Sequence, residues 1–542
     1  MFEGLRKQLA SFLAPASQKR ATAQRMYSMA KASRLTGSWG NSTTSEDNEL
    51  TTSLTMARNR SRSLVRDAAY AKRAKLIIQN NVIGSGINMQ AKVKTTRGAF
   101  NDLINDDIEE TFEEWCQASH CHMGRSLHFA DLERQLIGQV FEAGEIFVRF
   151  HFTQLPESSI PLALEIIEPE RVADQLQPSP GVSSATVRLG VEIDEFCAPL
   201  AYWFRTLHPG DLMPLRPQTV SRLERVPAEF IQHLRIIDRW PQTRAIPWMH
   251  TAARKLNDMD GLTEAEITAA RAAACYMGII ETPAGDASFG EEQEDGSLQM
   301  ELEPAVVQRL AAGEKFNSFS PNRPNAQLDP FMRMMLREVA AGVGCSYESL
   351  SRDYSQSNYS SSRLALLDDR DLWRVLQLWF IRSFRQRLHK IWLQQAVLAG
   401  AIQSINVQEY AANPRKFEAA CFKPRGWSWV DPTKEVNAYK EAVRCGFTTN
   451  SAVIAATGDG RDLEDVLDER EAELEQMAEA GLQFDTDPNV PSAAKETAKN
   501  PADPALPTAP SADPSGDAGT DPTVQTAENM LKNVGGFHGG SR

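Results

Sequence analysis

A chain of 542 residues is too long for a single hydrophobic core, and its 42% hydrophobic content is that of an ordinary globular protein. No uninterrupted apolar run is long enough to cross a bilayer, which excludes a membrane-spanning class. The formal charge of −13 conceals an asymmetry. Residues 1–75 hold fourteen Lys/Arg against five Asp/Glu, whereas residues 459–484 hold ten acids against two arginines, so the two ends face different partners or plain water.

The opening stretch MFEGLRKQLASFLAPASQKR lacks the long apolar segment of a secretory signal, which points to a cytosolic start. Seven cysteines at irregular positions argue for reduced thiols rather than a disulfide framework. The tightest cluster is Cys116, His120, Cys121 and His122; it has no second ligand pair in the sequence and fits no zinc-finger spacing, so no metal is expected there.

Residues 1–60 read as a basic, flexible arm. Leu64, Ala68, Ala71, Lys75 and Ile78 then mark a helix, and the GSG after Val82 and Ile83 ends it in a turn toward a strand. Residues 103–144 read as helical. EIFVRFHF, LALEIIEPERV, LGVEIDEFCAPLAYWFRTLHP and a stretch at Ile231–Ile237 alternate as strands, so residues 61–261 form an α+β domain with an antiparallel sheet.

A helix is expected over residues 262–280, with Leu262, Ala265, Ala269, Ala272, Tyr276 and Ile279 on one face. An acidic, Gly-rich insert follows, then a helix over Leu328–Val343 striped by Met332, Met335, Val339 and Val343. The next segment, GCSYESLSRDYSQSNYSSSR, is nearly free of core residues and reads as a polar loop over 346–363; it is either an exposed loop in which Ser360 to Ser362 cap the following helix, or one that faces a polar partner. That helix, Leu364–Leu398, would be about 50 Å long. Its arginines and lysine (Arg370, Arg374, Arg382, Arg385, Arg387, Lys390) read as a solvated or intersubunit face, and Trp373, Trp379 and Trp392 as packing residues. Residues 431–484 read as helical and 485–542, rich in Ala, Pro, Asp, Ser and Thr, as a disordered tail.

Five segments in this order resemble the lambda-type family of tailed-phage portal proteins: YAKRAKLIIQNNVIGSGI (Tyr70–Ile87), IEPERV (Ile167–Val172), AYWFRTLHPGD (Ala201–Asp211), VPAEFIQHLRIIDRWPQTRAIPW (Val226–Trp248) and GVGCSYESLSRDYSQSNYSSSRLA (Gly342–Ala365). The sequence departs from the family where RG is expected and Arg244-Ala245 stands. The resemblance implies a mainly helical α+β portal fold with wing, stem, clip and crown, assembling as a ring that is usually dodecameric at one capsid vertex. Double-stranded DNA would be packaged and ejected through it. By the same analogy residues 61–261 and 364–430 belong to the wing, 262–280 and 328–345 to the stem, 281–327 to the clip, 346–363 to the tunnel loop and 431–484 to the crown.

Ser351, Arg352, Tyr354, Ser355, Asn358, Tyr359, Ser360 and Arg363 would then border the channel. Their hydroxyls and amides can exchange hydrogen bonds with phosphate and water without the grip of clustered lysines. Glu291, Glu292, Glu294 and Asp295 would meet terminase and, afterwards, the head–tail connector. Major capsid or scaffold protein would be a further partner, the virion the destination and the host cytoplasm the place of assembly. No cofactor is implied.

The sequence holds no GxxxxGK[ST], GxSxG or HExxH motif, and the acid pairs Asp106-Asp107 and Asp368-Asp369 are adjacent in helical contexts, where neighbours point apart. No enzyme chemistry is therefore expected. The alternatives are a nuclease with a dispersed site and a non-viral helical scaffold.

Overall fold

The computed structural model describes residue 40 and residues 43–482, apart from 96, 176–185, 212–220, 276–277, 282–290, 293–297, 300–314, 319–326, 428–431 and 458–462. The expected tail from 485 onward lies outside the described residues. The architecture is α+β and mainly helical, with all named strands paired antiparallel.

The first helix among the described residues, α1 (Glu46–Asp67), corrects the reading of residues 46–60 as part of a flexible arm. Its inward face is Leu50, Leu54, Arg58, Ser61 and Val65, spaced at three and four residues. Two of those five are polar, which hides the stripe. Helices α2 (Ala69–Val82), α3 (Asp102–Trp115), α4 (Ala118–Cys121) and α5 (Phe129–Ala143) follow, so the helical stretch expected over 103–144 is three helices rather than one. Strand β1 (Asn88–Ala91), which follows the GSG turn as expected, pairs with the distant β13 (Ala420–Lys423).

Strand β2 (Glu145–His151) is the centre of the three-stranded sheet β3 (Ala163–Ile167), β2, β8 (Ile231–Arg235). Alternation divides its side chains between two cores. Ile146, Val148 and Phe150 join the main core with α2, α3 and α5. Phe147 points the other way, into a second core with Tyr202 and Phe204 of the four-stranded sheet β4 (Thr186–Arg188), β5 (Val191–Ile193), β6 (Pro199–Arg205), β7 (Leu223–Pro227). The rings of Tyr202 and Phe204 meet Phe147 edge-on at 5.5 and 5.4 Å.

Glu145, at the start of β2, is wholly buried and ties four segments together. It bonds Arg58 of α1 at 3.0 Å, Arg244 at 2.6 Å and His233 of β8 at 2.9 Å, and accepts from the Ala245 N–H at 3.2 Å. Arg244, also without exposed surface, donates to the carbonyls of Leu189 and Pro169. The Arg244-Ala245 pair is therefore a buried hub. The same approach of chains requires Gly144, the left-handed cap of α5 at φ 90°, because a Cβ there would sit 2.5 Å from the Ile246 carbonyl.

Helix α6 runs from His250 to Cys275. It begins twelve residues before the expected start and stops short of the expected end; Gly278–Glu281 is strand β9, paired with β12 (Lys315–Ser318), and Ile279 pairs with Asn317 instead of lying on a helix face. Between them the two-residue strands β10 (Glu291–Glu292) and β11 (Leu298–Gln299) pair with each other.

Helix α7 occupies the expected Leu328–Val343 and packs against α6: Leu256 and Met259 share the main core with Met335, Leu336 and Val339, while Thr251 donates to the Gly342 carbonyl at 3.1 Å. A Cβ at Gly342 would lie 2.9 Å from the Thr251 hydroxyl, so the glycine permits this close approach. From Asp260 through Arg271 no residue of α6 is buried.

The segment expected as one loop over 346–363 contains α8 (Tyr347–Ser351) and the first residues of α9 (Tyr359–Phe380). The long helix thus starts five residues early. It passes through one π-helical turn, Ile381–Arg385, into α10 (Gln386–Ala399). Trp373 and Trp392 are buried and Trp379 packs at the core edge. Arg385 departs from the expected solvated face: it is buried, with its guanidinium 4.7 Å from the centre of the Phe129 ring and 2.9 Å from Glu133. Arg387 likewise turns inward, donating to the Ile231 carbonyl at 2.9 Å. The short helices α11 (Val407–Ala412) and α12 (Pro414–Phe417) lead into β13, and α13 (Pro432–Arg444) and α14 (Asn450–Thr457) follow. Helix α15 (Leu463–Ala480), whose residues from Glu464 on form a separate unit, has no buried residue and carries an Arg470–Glu473 pair at 2.9 Å.

Candidate functional site

Helix α7 ends at Gly344, whose φ of 82° gives the left-handed cap that turns the chain into α8. Ser346 caps α8, its hydroxyl accepting from the Ser349 N–H at 3.3 Å. Behind it stands Asp369 of α9, buried, accepting from the Ser346 N–H and hydroxyl at 2.7 Å each and from the Ser349 hydroxyl at 2.6 Å. Leu350 anchors the other side of α8 in the main core.

Arg352 closes α8 at φ 59°, a conformation that costs a non-glycine residue about 1–2 kcal/mol. Its N–H donates to the Glu348 carbonyl at 2.9 Å, and its side chain is exposed. Asp353 organises the turn: its carboxylate accepts from the Tyr347 hydroxyl at 2.8 Å and the Ser355 N–H at 3.0 Å, and lies 3.6 Å from Arg333 of α7. Hydrogen bonds from Ser355, then from Tyr347, hold its pKa down at about 2.

Asn358, rather than Ser360 to Ser362, caps α9. It forms a reciprocal box with Ser361: the Ser361 N–H donates to Asn358 Oδ1 at 2.8 Å and the Asn358 N–H donates to Ser361 Oγ at 3.1 Å.

The eight residues singled out for this segment fall into two groups. Ser351, Asn358 and Arg363 are engaged locally: Ser351 donates to the Tyr347 carbonyl at 2.7 Å, Asn358 caps α9, and Arg363 pairs with Glu435 of α13 at 3.2 Å. Arg352, Tyr354, Ser355, Tyr359 and Ser360 are exposed around the turn. Sequence reasoning missed Asp369, Arg333 and Glu435. Arg333 had a local signal, an i−4 pair with Asp329 on α7 at 3.1 Å; Glu435 had none.

In the insert, Glu291 and Glu292 stand opposite Gln299 and Leu298 on β10–β11, while Glu294 and Asp295 lie outside the described residues. Cys116 and Cys121 are buried, and burial pushes both thiols up, Cys121 to about 12. His120 Nδ1 donates to the Glu114 carbonyl at 2.7 Å, directing that ring to the backbone. Among the described residues the His, Cys, Asp and Glu side chains that converge are Glu168, Glu170 and His208, and there Arg62 already bonds Glu170 at 2.7 and 3.0 Å.

The family model described as "Phage portal protein, lambda family" matches residues 32–377, more than half of the chain. The "Probable portal protein" of Halomonas phage phiHAP-1 is 28% identical over 482 residues, covering 86% of this chain and 89% of that protein. "Portal protein B" of Escherichia phage lambda is 22% identical, covering 82% and 88%. Among solved structures, a chain of the neck of an empty GTA particle is similar with a TM-score of 0.39 and 15% identity, over 74% of this chain and 94% of that one. With the family's model spanning the three- and four-stranded sheets, both α6 and α7, the capped turn and most of α9, the chain belongs to the lambda family of phage portal proteins.

Proposed function

We propose that this portal protein assembles as a ring of about twelve copies at the capsid vertex, that double-stranded DNA passes along its axis in packaging and ejection, and that the turn between α8 and α9 borders that passage. The observation that carries the reading is the turn itself. Arg352, Tyr354, Ser355, Tyr359 and Ser360 project from a short segment whose two ends are fixed by Asp369 and by the Asn358–Ser361 box. A framed polar rim with one exposed arginine offers the duplex weak, exchangeable contacts. Clustered lysines would instead release many counterions and hold it. The role is one of passage and docking, without catalysis.

The insert between α6 and α7, with Glu291, Glu292, Glu294 and Asp295, is the proposed docking surface for terminase during packaging and for the head–tail connector afterwards. Capsid or scaffold protein would be a further partner, the ring forming in the host cytoplasm before it enters the virion. The test replaces Arg352, Tyr354 and Tyr359 singly by alanine and measures ring yield and packaged DNA length. Normal rings with short or leaking genomes are expected. Normal packaging in all three variants would remove the turn from the passage.

A further inference from the structure

Among the described residues, helices α7 and α9 each carry an apolar patch that no other described segment covers. On α7, Phe331 and Met334 are exposed at a three-residue step, with Arg337 at the next. On α9, Leu364 and Leu367 are exposed, Leu364 to 70%, with Asp368 beside them. Both helices bury their opposite faces in the main core, so the patches face away from the described body of the chain that carries them.

The exposed charges of the two helices are paired, with the exception of Arg337 and Asp368. Around α7, Arg333 bonds Asp329 at 3.1 Å and Glu338 bonds Lys255 at 3.4 Å. Around α9, Asp371 bonds Arg374 at 3.1 Å and Arg363 bonds Glu435 at 3.2 Å. Arg337 has no carboxylate partner among the described residues; its guanidinium lies over the Tyr347 ring at 5.4 Å. Asp368 makes no ion pair among them either. One patch is thus left with an unpaired cation and the other with an unpaired anion.

We infer that the α7 patch (Phe331, Met334, Arg337) of one copy docks on the α9 patch (Leu364, Leu367, Asp368) of the next copy. Self-pairing of either patch would bring like charges together, whereas cross-pairing joins Arg337 to Asp368 and covers all four apolar side chains. A contact between two different patches is heterologous, and repeated by a rotation that closes, it builds a ring rather than a two-fold dimer. The inference rests on the ring reading above and names the surface that would build it.

The test uses the full chain and compares Arg337→Asp, Asp368→Arg and the double variant by native mass spectrometry at one protein concentration, with melting temperature as the fold control. Each single variant is expected to lose rings by at least about tenfold, and the double variant to recover them. Rings undisturbed by either single variant, or no recovery in a folded double variant, would overturn the interface alone. If the unaltered chain forms no oligomer, the ring reading falls with it.

Should a charge variant fail to fold, a second arm decides. Met334→Cys and Leu367→Cys chains, each with Cys421 and Cys445 replaced by serine, are mixed and oxidised. Disulfide-linked pairs only in the mixture support the contact, and equal cross-linking in each chain alone contradicts it.

Discussion

The carboxylate of Asp369 accepts both the N–H and the hydroxyl of Ser346 at 2.7 Å, joining the second half of the candidate site to the first across 23 residues of sequence. Because the carboxylate is buried, its loss strands the Ser346 N–H and the Ser349 hydroxyl. Asp369→Ala should lower stability by about 1–3 kcal/mol, read from denaturant midpoints. It should also make the 352–358 turn more accessible to protease than in the parent chain. Unchanged stability and cleavage would show that the turn is held by other contacts.

Helix α1 gives a second expectation. Arg58 is buried 3.0 Å from Glu145, and its removal takes one hydrogen-bonding cation from a buried carboxylate that keeps Arg244 and His233. Arg58→Ala should therefore cost about 1.5–3 kcal/mol. Deletion of residues 1–60, which also removes the buried Leu50 and Leu54, should abolish cooperative unfolding. A 1–60 deletion that melts like the full chain would contradict the packing of α1.

The same centre predicts acid lability. Burial, then Arg235, depresses the His233 pKa from 6.5 to about 3, so the unfolded chain takes up a proton there before the folded chain does. Burial alone would raise Glu145, but Arg244, His233 and Arg58 together bring it well below the ordinary 4.5. Both groups stabilise the fold above their unfolded values. The His233 contribution is lost as pH falls from 6.5 toward 3, and that of Glu145 as pH falls below 4.5. Urea midpoints should decline across this range, and His233→Asn should lessen the decline between pH 6.5 and 4.5. A midpoint flat from pH 7 to 4 would refute the arrangement.

Glu133 behaves oppositely. Complete burial raises its pKa from 4.5 to about 7 despite Arg385 at 2.9 Å. A raised folded value means stability that is present below pH 4.5 and lost as pH rises through about 7. Relative to the parent chain, Glu133→Gln should therefore gain stability between pH 4.5 and pH 8. A difference between the two chains that does not change with pH would show that the carboxylate titrates normally.

Much of the scaffold was legible because its inward faces are apolar at a single period. Met335, Val339 and Val343 give α7 its bounds, and the alternation along β2 assigns Ile146 and Phe147 to opposite faces. Helix α1 was not, since Arg58 and Ser61 occupy its inward face and their partners, Glu145 and the Glu142 carbonyl, lie more than 80 residues away. The polar turn could be located from its serines and tyrosines, but not its frame: Asp369 looked like one half of an adjacent acid pair, and Asn358 like one more loop residue. Helix α9 begins at Tyr359 because its first turn is capped and solvent-facing, a pattern that carries no apolar stripe.

The turn between α8 and α9 is proposed to face the passage for DNA. A reconstruction of the assembled ring with DNA inside tests it most directly. Arg352, Tyr354 and Tyr359 of every subunit are expected among the side chains nearest the axis, with density linking them to the duplex. Finding those side chains on the outer shell, or buried between subunits and away from the DNA, would contradict it.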